Sequence, residues 1–215
     1  MKQRFFVPPA ATSREELAPG AVLLRGFAAG DSDQLLADVR GIAAAAPFRH
    51  METPGGHRMS VAMTNCGASG WVADRRGYRY DANDPETGVP WPAMPQSFAL
   101  LAARAAAAAG YRDFAPDACL VNRYEPGARM SLHQDRDERD FTQPIVSVSL
   151  GLPIVFQFGG LRRAEPTQRV PLEHGDVVVW GGPSRRRFHG VLTLRAGAHE
   201  SVGPFRINLT LRCAN

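Results

Sequence analysis

R-I-N-L-T-L-R, residues 206–212, alternates without a fault. Successive side chains on an extended strand point to opposite faces, so Arg206, Asn208, Thr210 and Arg212 share one face and Ile207, Leu209 and Leu211 the other. Two arginines and an amide turned into a protein interior are costly to bury unless an anion neutralises them. A dicarboxylate would do so, with one carboxylate gripped by a guanidinium fork and the other end chelating a metal. Taken alone, the stretch equally suits an edge strand whose polar face meets solvent. Working back from it, the chain divides into short apolar-alternating runs separated by turn signals: 118–124, 129–135, 145–150, 153–158, 168–172, 177–180 and 188–194, with 205–212 as the last. Short strands at this spacing predict a two-sheet sandwich or small barrel.

Ahead of this all-β part the texture changes. Ala21 to Phe27 reads as a strand. A helix is predicted over Asp31–Ala46, where Asp31 and Gln34 form a capping-box pattern, Leu35, Leu36, Val39, Ile42 and Ala43 keep helical spacing, and Pro47 closes the run. A second helix is predicted from about Pro95 through Phe98, Leu101, Ala102 and Ala105 to the stop at Gly110. Between them, residues 54–95 are rich in Gly, Pro, Asn and Asp, with Trp71, Arg75, Arg76, Tyr78, Arg79 and Tyr80 interleaved. This reads as a long irregular region of the kind that carries function. Aromatics interleaved with arginines suit single-stranded nucleic acid.

The chain has 215 residues, 44% hydrophobic and 21% charged, which fits one globular domain and excludes disordered and fibrous classes. No apolar run approaches the ~18 residues of a membrane span. Lysine plus arginine is 25 against 21 acids, for a net charge of +4, and only Lys2 is lysine. Arginine suits a phosphate-bearing partner, but an arginine- and alanine-rich codon preference accounts for the same composition. Cys66, Cys119 and Cys213 share no C-x-x-C spacing, which argues against a disulfide framework or a thiolate zinc site. The first sixteen residues hold no signal-peptide apolar region, so a cytoplasmic protein is expected.

Six histidines invite a search for metal ligands. Three H-x-D/E tripeptides occur, His50/Glu52, His133/Asp135 and His174/Asp176, where this composition gives about 0.6 by chance. Context chooses among them. His133 and Asp135 lie two apart on a strand-like run and project to one face. His189, at the start of a later strand, is the natural third ligand, completing a two-histidine, one-carboxylate face with open positions, as in non-haem Fe(II) oxygenases. His174-Gly175-Asp176 reads as a structural turn, and His50/Glu52 as part of a loop.

The combination His133-Gln134-Asp135, His189 and Arg206-x-Asn208-x-Thr210-x-Arg212 resembles the AlkB family of Fe(II)/2-oxoglutarate-dependent dioxygenases that repair alkylated nucleic-acid bases. So do the segments MSVAMTNCG (59–67), PWPAMPQSF (90–98), PIVSVSLGLP (144–153) and HGDVVVWGG (174–182). The resemblance covers about 47–212. It implies an α+β fold with a double-stranded β-helix, or jelly-roll, core, flanking N-terminal helices and a nucleotide-recognition lid. It also implies a single domain over 1–215: an N-terminal strand and helix to about 46, the lid over 47–95, a buttressing helix over 96–110 and the dioxygenase β-core over 111–215.

Residue by residue, the resemblance implies that His133, Asp135 and His189 ligate Fe(II). It implies that Asn122, Tyr124, Arg206, Asn208 and Arg212 hold 2-oxoglutarate, with O2 as second cosubstrate. Met63, Trp71, Tyr78, Tyr80, Asp137 and Arg163 would contact the substrate, Trp71 stacking on the damaged base against His133. The implied reaction couples decarboxylation of 2-oxoglutarate to hydroxylation of an N-methyl group on 1-methyladenine or 3-methylcytosine, with loss of formaldehyde. The implied partner is alkylated DNA, single-stranded favoured, or RNA, bound by a monomer. Two rivals stay open: a 2-oxoglutarate-dependent hydroxylase of a protein or small molecule, and a non-catalytic cupin-like nucleic-acid-binding module. Bland roles stay open as well: Trp71 as a core or exposed-loop aromatic and 135–140 as a solvated charge run; Arg185–Arg187 reads as either backbone-binding or solvated, and Trp180, at the end of a buried strand, reads as core.

Overall fold

The structure, a computed structural model, describes residues 13–215. Its strands are β1 (Arg14–Ala18), β2 (Ala21–Leu24), β3 (Ala62–Gly67), β4 (Gly70–Asp74), β5 (Gly77–Asp81), β6 (Ala118–Tyr124) and β7 (Met130–His133). They continue with β8 (Ile145–Gly151), β9 (Ile154–Phe158), β10 (Gln168–Leu172), β11 (Val177–Trp180), β12 (His189–Val191) and β13 (Arg206–Arg212). Two α-helices, α1 (Ser32–Ala45) and α2 (Gln96–Ala108), lie in the N-terminal half. All eight runs read from the C-terminal sequence are strands.

They form the two sheets of a jelly roll. The larger sheet has the order β1-β2-β11-β8-β13-β6-β3 and the smaller β10-β9-β12-β7. The strand β13 lies between β8 and β6, antiparallel to both, and all seven of its residues are buried. The solvent-facing edge-strand alternative is thereby overturned. Its Ile207, Leu209 and Leu211 pack in the layer that also holds Leu35, Val39, Phe98 and Leu101 of the helices. Its polar face turns into the sandwich between the sheets. Neighbouring β8 obeys the same period: Val146, Val148 and Leu150 join the helix layer, leaving Ser147 and Ser149 on the inner face beside Asn208.

Three expectations are corrected. Residues 54–95 are not one irregular region: β3 pairs with β6 as the edge of the large sheet, and β4 and β5 form a separate hairpin. Buried along almost its whole length, A-M-T-N-C-G carries no alternation to mark it as a strand. The capping box does not form either. A 3₁₀ turn over Ala29–Asp31 leads into α1, Asp31 accepts from Arg104 at 2.7 Å, and Gln34 donates to Asp38 at 3.0 Å. The strand expected over Ala21–Phe27 is β2 and stops at Leu24, because Arg25 turns to bind Glu15 and Asp176, and Asp176 also accepts from the Gly26 amide. No helix among the described residues is long and apolar enough to cross a membrane.

Candidate active site

Between the sheets lies a cavity of about 1070 Å³. Its walls include His133 from β7, Asp135 just beyond it, His189 from β12 and the polar face of β13. Pairing sets the triad: His189 lies directly opposite His133 in the β12–β7 register, with their rings 4.4 Å apart. Asp135 faces both, Oδ1 at 3.6 Å from His133 Nε2 and Oδ2 at 3.8 Å from His189 Nε2. One ligand atom from each residue lies within 4.8 Å of the others, the only such group of three or more among the described residues.

The tautomers suit a cation. His133 Nδ1 lies 2.9 Å from the Ser131 carbonyl and His189 Nδ1 3.1 Å from that of Arg187. A carbonyl only accepts, so each Nδ1 carries a proton, which leaves Nε2, the atom facing Asp135, as the nitrogen that can ligate. Burial, with the His133 imidazole beside it, holds His189 down to about 4 against the pull of Asp135, so it is neutral at physiological pH. Burial alone would raise Asp135, but the Arg212 guanidinium beside it outweighs this and holds the carboxyl well below the usual range. Two imidazole nitrogens and a carboxylate oxygen, converging on one cavity, are a donor set that fits Fe(II).

A second group of residues fits an anion. Arg206 is 2% exposed and lines the cavity; its Nη2 donates to Ser149 at 2.8 Å, while Nε and Nη1 have no partner among the described residues. Burial pushes it down to about 10, still protonated at neutral pH. Such an unpaired buried cation is strongly unfavourable until a counter-charge arrives. Tyr124 lies under this guanidinium at 5.4 Å, its phenol raised to about 12 by burial. Asn208 donates to Ser147 and the Val148 carbonyl, and Asn122 donates to Asn208 at 3.4 Å while its own oxygen is left unpaired. Arg212 differs from Arg206: its Nε and Nη2 bind Asp135 Oδ2 at 3.2 and 2.8 Å.

The rim and upper wall carry the aromatics. Trp71 of β4 stacks on Tyr78 of β5 at 5.6 Å and 12°, and its indole donates to Asp137 at 2.7 Å. Trp71, Tyr78, Asp137, Met63 and Arg163 all line the cavity, Arg163 with its guanidinium 5.1 Å over Phe188. Tyr80 is the one sequence-selected residue outside the lining, its hydroxyl donating to Glu138 at 2.9 Å.

Sequence reading missed several residues. Trp180 is buried in the core, as read, but its ring also lies 5.0 Å from His189 on the cavity wall; its position two residues after Val178 on the inner face of β11 was the available signal for that second role. In the charge run 135–140, for which a solvated loop stayed open, Glu138 is buried along with the expected ligand Asp135. Arg185 is buried too, its Nη2 3.3 Å from Glu138. The His174 and His50 pairs are structural: His174 Nδ1 accepts from the Gly151 amide, and His50 Nδ1 bonds the Met59 carbonyl.

Comparison with known proteins agrees with this geometry. The family model of the 2OG-Fe(II) oxygenase superfamily matches residues 20–212. The chain is 62% identical over 201 residues to the alpha-ketoglutarate-dependent dioxygenase AlkB of Salmonella typhimurium, covering 94% of this chain and 93% of that protein. It is 61% identical to the protein of that name from Escherichia coli, over the same shares. Among solved structures, that of OsALKBH1 superposes with a TM-score of 0.84 at 28% identity, covering 94% of this chain and 100% of the other.

Proposed function

The chain belongs to the AlkB family of the 2OG-Fe(II) oxygenase superfamily and is a 2-oxoglutarate-dependent dioxygenase with His133, Asp135 and His189 as its iron site; from that premise we propose that it oxidatively demethylates alkylated bases in nucleic acid. One observation carries the proposal: a single cavity joins the ligand triad, an unpaired buried arginine and an aromatic rim. Bound Fe(II), with O2 and 2-oxoglutarate, supplies the oxidation of a methyl C–H bond, yielding succinate and CO2. The residues around it bind and orient.

Arg206 takes the distal carboxylate of 2-oxoglutarate through its two free nitrogens, with Asn122 and Tyr124 adding hydrogen bonds. Asn208 orders the polar layer through Ser147, and Arg212 supplies a second positive charge while holding Asp135. Trp71 offers a face to the base, Met63 packs beneath it, and Asp137 receives its edge; Tyr78 and Arg163 meet the flanking phosphates. A base inside a duplex cannot reach this depth, so it enters extruded or from a single strand. Methylation that blocks pairing, as in 1-methyladenine or 3-methylcytosine, lowers that cost, and the positive charge it adds favours Asp137 and the indole face. The aromatic rim suits single-stranded substrate. The described cysteines are free thiols, in keeping with a reducing cytoplasm.

The test is succinate release with and without a methylated oligonucleotide. Stimulation by the oligonucleotide, lost in His189→Ala, supports base repair over hydroxylation of a protein or small molecule; no stimulation refutes it.

A further inference from the structure

Glu138 belongs to no ligand set above, yet its side chain is only 2% exposed and three elements converge on it. Tyr80 of β5 donates its hydroxyl to Oε1 at 2.9 Å, Arg212 of β13 brings Nε to 3.2 Å of the same oxygen, and Arg185 places Nη2 3.3 Å from Oε2. Arg212 continues to the metal ligand Asp135 at 2.8 Å. A continuous path thus runs from the hairpin through Glu138 and Arg212 to the iron site. The hairpin is tied a second time to the same segment, by the indole of Trp71 on Asp137. Trp71 and Tyr80 are directly opposed in the β4–β5 register, so one face of the hairpin is pinned at two points to residues 135–138.

A two-stranded hairpin is marginal on its own, so its attachments decide how firmly it is held. The charges at the attachment balance, with Asp135 and Glu138 against Arg185 and Arg212. Buried ion clusters of this kind are often no more stable than apolar packing of the same volume, and their best-attested use is to fix one geometry. Here the geometry fixed is that of the Trp71 platform relative to the metal.

We propose that Glu138 is a positioning residue that latches the β4–β5 hairpin to the metal centre: one carboxylate holds Tyr80 on one side and, through Arg212, orients Asp135 on the other. Tyr80 then acts by holding the platform, from behind the cavity wall. This deepens the demethylase reading, and the hairpin measurement is independent of any substrate. Amide hydrogen exchange is followed in the metal-free protein. Tyr80→Phe, which removes one hydroxyl, is expected to raise exchange over 70–81 about tenfold while β6, β8 and β13 keep their protection. Unchanged exchange in the hairpin, or an equal rise in every sheet, overturns the latch. Glu138→Gln is expected to weaken binding of Co(II) alone by roughly 10- to 100-fold. Unchanged Co(II) affinity in a folded Glu138→Gln overturns the link to the metal, and if that variant does not fold, Tyr80→Phe decides alone. In turnover, Tyr80→Phe raises KM for a methylated oligonucleotide more than it lowers kcat; a pure kcat loss contradicts the latch. Absence of demethylation alongside the expected exchange result refutes the functional reading and leaves the latch standing.

Discussion

Replacing Arg212 by methionine removes a cation that is 7% exposed and lies 2.8 Å from Asp135 and 3.2 Å from Glu138. The methionine stem fills much of the same space, so the change is electrostatic more than steric. Stranding a buried carboxylate by deleting its partner costs about 3–5 kcal/mol. At about 2–4 °C per kcal/mol for a protein of this size, that lowers Tm by about 6–20 °C. The pH dependence carries a sign. In the parent protein Asp135 is held below its unfolded value of about 3.9, so its contribution is fully present above that pH and is lost as pH falls through the folded value. Without Arg212, burial dominates and pushes Asp135 upward, so acidification relieves the variant by neutralising the stranded carboxylate. The difference between parent and variant is therefore largest near neutral pH and narrows toward pH 5. Urea unfolding of the metal-free proteins at pH 7.5 and pH 5 measures it. A deficit below about 1 kcal/mol at pH 7.5, or one that grows on acidification, would refute the reasoning.

Three further outcomes are expected. His189→Ala should lose Co(II) affinity by at least a hundredfold while unfolding near the parent's urea midpoint, because the residue removed is neutral; titration of Co(II) into both proteins checks this. Arg206→Met should raise KM for 2-oxoglutarate by roughly 10- to 100-fold, yet leave the metal-free protein as stable as the parent or more so, since the missing cation had no counter-charge. Trp71→Ala should impair turnover of a methylated oligonucleotide by roughly 5- to 150-fold, from about 1–3 kcal/mol of lost stacking, and impair substrate-free decay of 2-oxoglutarate less; equal losses in both assays argue against a stacking platform.

The β-core was legible because β8 and β13 keep period-two alternation and β11 is a short apolar run, V-V-V-W, with turn residues between the strands. The polar face of β13 told more than its apolar one: arginines and an amide on an inward face demand a ligand, and the sandwich places that face beside His133 and His189. β3 passed for loop because A-M-T-N-C-G runs two apolar residues, two polar ones and then Cys-Gly, with no period of two to read. Tertiary contacts explain the other differences. Asp31 leaves its helix for Arg104, and Arg212 is engaged by Asp135, a partner 77 residues away that no local pattern reveals. The run D-R-D-E-R-D, 135–140, looks like solvated charge in one dimension; folding turns Asp135 and Glu138 inward against Arg212 and Arg185 and leaves Asp137 at the rim. Tyr80 shares a strand and a face with Tyr78, but the interior carboxylate of Glu138 takes its hydroxyl.

The most direct measurement is formaldehyde release from a panel of methylated and unmethylated oligonucleotides, single- and double-stranded, with succinate quantified in the same reaction. Formaldehyde from 1-methyladenine or 3-methylcytosine strands, dependent on Fe(II) and 2-oxoglutarate and matched by an equal amount of succinate, is the expected result. Succinate formed at the same rate with every oligonucleotide and with none, and without formaldehyde, contradicts base demethylation.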